Sequence, residues 1–114
     1  MLRYLAAATV LLTAVAILPA RAPAAEDVPK MIGAAKTPAD HQALAAYYER
    51  EAATARATAE MHRKMAEEYR KAGGPALKSQ LPEHCDGLVK VYEGAAKDFE
   101  AMARAHREMA EAKK

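Results

Sequence analysis

The residues of this chain able to do chemistry are few: four histidines, one cysteine and six methionines in 114 residues. Met102, His106 and Met109 are spaced i, i+4, i+7, which sets all three on one face of a helix. Thioether with imidazole is a soft donor set suited to Cu(I). Met61, His62 and Met65 form a related but poorer cluster, because adjacent helical residues diverge by about 100°. His84 and Cys85 add an imidazole and a thiol in the first turns of a second helix, where the dipole favours thiolate. The candidate ligands are His41, His62, His84, His106, Cys85, Met61, Met65, Met102 and Met109, of which Met102, His106, Met109, His84, Cys85, His62 and Met65 form the metal set; no cofactor is expected, copper being the alternative they would suit.

A structural reading stands beside the chemical one, and the pattern favours it. If a hairpin turns near residue 77, His62 comes level with Tyr92 and His106 with Tyr48. An imidazole hydrogen-bonded to a tyrosine hydroxyl would satisfy both groups and set the register. The same levelling places His41 and His106 one heptad apart, about 10 Å along the axis. Methionine at helical spacing is ordinary core filler. Cys85, the lone cysteine, has three fates: an intermolecular disulfide, a metal ligand or a buried thiol. Its row is the buried one. Catalytic arrangements are missing: the chain has no Ser-His-Asp spacing, Gly-rich phosphate loop, HExxH or CxxC. The ferritin-like Glu-x-x-His tetrapeptide is also missing. The expectation is a protein that is not an enzyme.

What must position these residues is a duplicated helix. Pairing residues 40–70 with 84–114, an offset of 44, gives eleven identities: Leu44/Leu88, Tyr48/Tyr92, Glu49/Glu93, Ala52/Ala96, Ala57/Ala101, Ala59/Ala103, His62/His106, Arg63/Arg107, Met65/Met109, Ala66/Ala110 and Glu67/Glu111. A period in this range, with helical spacing inside each copy, implies a helix folded back on its own duplicate. Thr37 can cap the first helix, Pro38 fits its first position and Asp40 complements its dipole. Gly73-Gly74-Pro75 ends it. The expected organisation is a signal peptide over 1–24, a flexible leader or single helical turn over 25–36, and a hairpin over 37–114. Its helices would cover about 38–72 and 81–113, each roughly 50 Å long, with a loop at 73–80.

Both helices keep a seven-residue register. His41, Tyr48, Ala55, His62 and Tyr69 form one row, matched by Cys85, Tyr92, Phe99 and His106. A neighbouring row is almost pure alanine: Ala45, Ala52, Ala59, Ala66 and Val89, Ala96, Ala103, Ala110. Leu88, Ala95, Met102 and Met109 are expected to complete the buried face of the second helix. Alanine rows let helix axes approach closely. A single seam with no Trp and one Phe buries little. The expected fold class is therefore all-α: a long antiparallel helical hairpin, homodimerising into a four-helix bundle.

The N-terminus bounds location. Arg3, the uncharged apolar run Leu5–Leu18, Pro19 and Ala22-Pro23-Ala24 make a secretory signal peptide. The run is shorter than the about 20 residues of a membrane span, so no span is expected after cleavage. Removing Arg3 and Arg21 reduces 17 basic residues to 15, equal to the 15 acidic ones. A neutral mature chain excludes the basic surplus that nucleic-acid binding requires. The expected address is periplasmic or secreted.

His-x-x-Leu-x-x-Tyr-Tyr-Glu at 41–49, His-Cys at 84–85 and His-Arg-x-Met-Ala at 106–110 resemble a group of small exported bacterial helical proteins, and that resemblance implies no activity. A looser architectural similarity is to periplasmic nickel/cobalt-sensor and Spy/CpxP-like stress hairpins, whose LTxxQ repeats this chain lacks. Two functions follow as expectations. One is an exported coiled-coil-like interaction or structural module serving an unidentified protein partner or envelope stress. The other is a periplasmic soft-metal (copper) binding protein using His, Met and Cys ligands.

Overall fold

A computed structural model describes residues 22–112, so most of the expected signal segment (residues 1–21) lies outside the described residues. A 3₁₀ turn at Ala25–Asp27 leads into α1 (Val28–Ala34), followed by α2 (Pro38–Ala72), α3 (Gly74–Lys78) and α4 (Leu81–Ala112). Among the described residues there is no strand. The two long helices, α2 and α4, pack antiparallel as a hairpin. The stretch 25–36, expected as a flexible leader or single turn, instead forms α1, which buries Val28 and packs on α2. The expected loop also contains α3, a short helix that carries the chain across the end of the hairpin.

Capping chemistry explains where α2 begins. Thr37 Oγ1 accepts from the Asp40 N–H at 3.1 Å, and the Asp40 carboxylate accepts from the N–H groups of Thr37 and Lys36, each at 3.0 Å. This reciprocal box satisfies otherwise orphaned helix donors. The hydrogen bonds from Lys36 and then Thr37 hold the Asp40 carboxyl below its ordinary value. At the far end, Gly73 (φ +63°) and Gly74 (φ +51°) both adopt the left-handed conformation that a side chain resists. Gln80, at φ +56°, does the same just before α4 begins.

Alanine makes the seam. Ala45, Ala52, Ala59 and Ala66 on α2 and Val89, Ala96, Ala103 and Ala110 on α4 are all buried, and their side chains are short enough for the two backbones to come close. One flank of this seam is lined by four interhelical ion pairs: Glu49–Arg107, Arg56–Glu100, Arg63–Glu93 and Arg70–Asp86. Partners advance by seven residues on α2 as they retreat by seven on α4. Arg107 grips Glu49 with Nε at 2.8 Å and Nη2 at 2.6 Å. The pairs also display the duplication. Shifting by 44 residues converts Glu49–Arg107 into Glu93–Arg63, while Arg56 and Glu100, themselves 44 apart, exchange places. The hairpin thus has a pseudo-two-fold axis at Arg56–Glu100. These side chains are each about half exposed, so the pairs specify register more than they stabilise.

Leu88, Met102 and Met109 depart from expectation. They are 40%, 42% and 45% exposed rather than buried, and Ala95 between them is half-buried. The reason is rotational. Relative to the Cys85 row, the alanine row lies about 40° to one side and the ion-pair row about 100° to that side, while the Leu88 row lies about 60° to the other. The two-helix seam covers only the first two rows, and the Leu88 row is left on the flank opposite the ion pairs.

A close alanine seam has no room for larger side chains. Ala96→Leu, at a fully buried position, should lower stability by about 1–3 kcal/mol. Ala101→Leu, on the exposed face of the same helix, should be near neutral by chemical denaturation.

Candidate functional site

The row carrying His41, Tyr48 and His62 meets the row carrying Tyr92, Phe99 and His106 as interleaved rings. His106 lies between two α2 rings: its centroid is 5.4 Å from that of His41 and 5.7 Å from that of Tyr48. Tyr48 in turn lies between two α4 rings, with Phe99 at 6.3 Å on its other side. Half a heptad along a helix is about 5 Å, which matches this alternation. His106 and Tyr48 are thus each a knob seated between two rings of the partner helix. At the pseudo-symmetric position His62 stacks on Tyr92, centroids 5.7 Å apart and planes 9° from parallel.

Two expectations about this row are corrected. His106 and His62 do lie beside Tyr48 and Tyr92, but as offset, near-parallel rings, 12° and 9° between planes, rather than through a hydrogen bond to the tyrosine hydroxyl. His62 Nδ1 is buried with no hydrogen-bond partner. His41 and His106 are not a heptad apart either: their Nδ1 atoms are 3.1 Å from each other. Rings of the two helices do not stand opposite one another but interlock half a heptad out of step.

The His41–His106 contact has an informative geometry. The difference between the 5.4 Å centroid separation and the 3.1 Å Nδ1 separation equals two imidazole radii, so both Nδ1 atoms lie on the line joining the ring centres. The rings are side by side, 25° from coplanar, with their δ nitrogens aimed at one another. One imidazole donates Nδ1–H and the other accepts. His41 is buried at 7% exposure and His106 is half-buried. Burial foremost, and the neighbouring His41 second, push the His106 pKa below its ordinary 6.5.

The other expected ligands are dispersed. Met102 and Met109 flank His106 along α4 on the exposed row, so one face of that helix does hold all three. His84 is exposed while Cys85 beside it is a buried free thiol, so the two do not share a face. His62 and Met65 are half-buried on α2, the 44-residue counterparts of His106 and Met109. Among the described residues no three His, Cys, Asp or Glu side chains gather as a metal cluster. His41 is the candidate that sequence reasoning set aside, because levelling put it a heptad from His106. Its place in the same heptad row as Tyr48 and His62 was legible, but the half-heptad stagger that brings it to His106 was not.

A second feature lies on the open flank. Ala55 is the counterpart of Phe99, so α2 presents a methyl group where α4 presents a ring. The shortfall leaves a hollow of about 280 Å³, lined by Glu51, Thr54, Ala55, Thr58, Tyr92, Ala95 and Phe99. Among the described residues no helix is long and apolar enough to cross a membrane. Comparison with protein-family models, with curated proteins and with solved structures finds no match.

The pseudo-symmetric histidines should respond differently to the same change. His62→Phe keeps the stack on Tyr92 and removes an unpartnered buried nitrogen, so stability should hold or rise. His106→Phe strands the His41 nitrogen and should cost about 1–3 kcal/mol, measured by urea unfolding.

Acid should loosen the open end of the hairpin. The His106 pKa is depressed in the fold, so below pH 6.5 the unfolded chain takes the proton first. The contribution of His106 is complete above that value and is lost as pH falls through the lower folded value. The groups facing it are His41 and Tyr48, with the Glu49–Arg107 pair alongside. Thermal melts should show this loss in the wild type as pH falls below 6.5, and it should be much reduced in His106→Phe.

Proposed function

We propose that this chain is an exported helical-hairpin interaction protein that works as a homodimer, its open flank closed by a second copy into a four-helix bundle. The observation that carries this reading is the stripe Leu88, Ala95, Met102, Met109, which is apolar, heptad-spaced and uncovered. A hairpin with one seam buries mostly alanine, and the opposite flank is occupied by charged pairs. The apolar flank is thus the surface with most to gain from a partner.

Its dimensions suit one. From Leu88 to Met109 the stripe extends about 31 Å, and two helices present a face about 20 Å across. The projected area, roughly 600 Å² before corrugation, approaches the about 800 Å² per partner of stable complexes. The hollow beside Ala55 opens on this flank and would accept a methionine or leucine knob from the second copy. Neutral mature charge and the lack of a catalytic constellation support a role in assembly rather than turnover, in the periplasm or outside the cell. An envelope-stress role follows only from the architectural similarity to periplasmic stress hairpins. The soft-metal reading is favoured by one observation, the converging imidazoles of His41 and His106.

Sedimentation at micromolar concentration should report twice the chain mass. Met102→Glu, which places a charge in the centre of the stripe, should return the protein to a monomer with its helicity kept. A wild-type chain that is monomeric and fully helical under those conditions would overturn the four-helix reading.

A further inference from the structure

We propose that His41 and His106 form a seat for one two-coordinate d10 cation, with Cu(I) as the biological occupant, bound between their Nδ1 atoms. The proposal goes beyond the dimer reading and stands apart from it, since the pair lies within one chain. Its basis is the collinear approach of the two nitrogens across 3.1 Å. Two nitrogens aimed at each other along one line match the linear, two-donor geometry that a closed-shell monovalent ion accepts, and imidazole is a suitable ligand for copper. Zn(II) requires about four ligands in a tetrahedron, and among the described residues no third His, Cys, Asp or Glu gathers with the pair.

The movement needed is small. A metal–imidazole bond is about 2 Å long, so a linear bridge needs the nitrogens roughly 4 Å apart, somewhat under an ångström wider than they stand. The pair sits at the free end of the hairpin. His41 is in the first turns of α2 and His106 in the last two turns of α4, at the end remote from α3. The exposed Glu49–Arg107 ion pair ties the helices near this end. Tyr48, stacked on His106, and the burial of His41 keep the site largely out of water. Met102 and Met109, one turn to either side of His106, put soft thioethers on the adjoining row.

Charge and protons balance without an oxidant. In the free pair one ring carries its proton on Nδ1, and that proton shares the bond with the other ring. On binding, this proton moves by way of water to Nε2 of the same ring. Both imidazoles end as neutral Nε2–H tautomers, each donating a lone pair, and the cation's single positive charge is added to the site. Cu(I) enters and remains Cu(I).

The test is an anaerobic titration of the purified full chain with Cu(I), in competition with a chromophoric Cu(I) chelator, with Ag(I) as a redox-inert repeat. One equivalent should be retained per chain. His41→Gln and His106→Gln should each weaken retention by at least about tenfold, the least that losing even an outer partner costs a metal site. Cys85→Ser and His62→Gln should leave it unchanged, with circular dichroism confirming that all four variants are helical. X-ray absorption of the loaded wild type, which does not depend on any variant folding, should show two nitrogen neighbours at about 2 Å. Copper retention lost in Cys85→Ser but kept in His41→Gln would overturn the assignment. So would a first shell dominated by sulfur, Zn(II) displacing Cu(I) at equal concentration, or no retention by the wild type.

Discussion

Everything in this molecule depends on how closely two alanine-lined helices can approach. The rows Ala45–Ala66 and Val89–Ala110 put almost nothing between the backbones. Larger side chains in the adjacent row, His41, Tyr48, Phe99, Tyr92, His62 and His106, then have no room to meet head-on. They interleave, and that half-heptad offset decides the ring contacts between the two helices. Close approach also brings arginine on one helix within reach of carboxylate on the other, giving four rungs on one flank. Alanine contributes little burial of its own. Its contribution is proximity, which sets dispersion contacts and register for the groups around it.

Duplication generates the symmetry, and departures from duplication generate the candidate sites. Where both copies keep the same residues, the hairpin shows matched pairs: His62 on Tyr92 with His106 on Tyr48, and Arg63–Glu93 with Arg107–Glu49. Where they diverge, one half gains a feature that the other lacks. Ala55 against Phe99 opens the hollow on the exposed flank. His41 against Cys85 gives His106 a nitrogen partner, while His62 Nδ1 is left without one. A structural pair and a candidate cation seat can therefore coexist in one repeat: they differ by a single substitution at a shared position.

Much of the architecture was legible in the residues, for identifiable physical reasons. The Thr37-Pro38-x-Asp40 start is local chemistry, since a capping box involves neighbours within one turn. Gly73-Gly74-Pro75 is equally local, because the left-handed conformation is a property of the residues themselves. The heptad rows, the 44-residue repeat and the adjacency of His62 to Tyr92 and His106 to Tyr48 could be read because helical periodicity carries through the whole length of each element. Pro29 and Gly33 read as breakers of structure in the leader, yet α1 forms with Pro29 in its first turn and Val28 buried. Docking against α2 outweighed a weak local preference.

Sequence by itself determined the helices, their ends, their antiparallel pairing and which rows hold rings, alanine and charge, since all of these follow from local propensity and periodicity. Tertiary structure alone decided three things. It set the axial stagger, which put His41 against His106 instead of a heptad away and turned an expected imidazole–hydroxyl bond into ring stacking. It set the rotation of α4, which left Leu88, Met102 and Met109 outside the seam. It placed α1 on α2. A seven-residue pattern is unchanged by a half-heptad slide or a modest roll of one helix about its axis. The stagger and the roll are fixed only when two particular surfaces interlock.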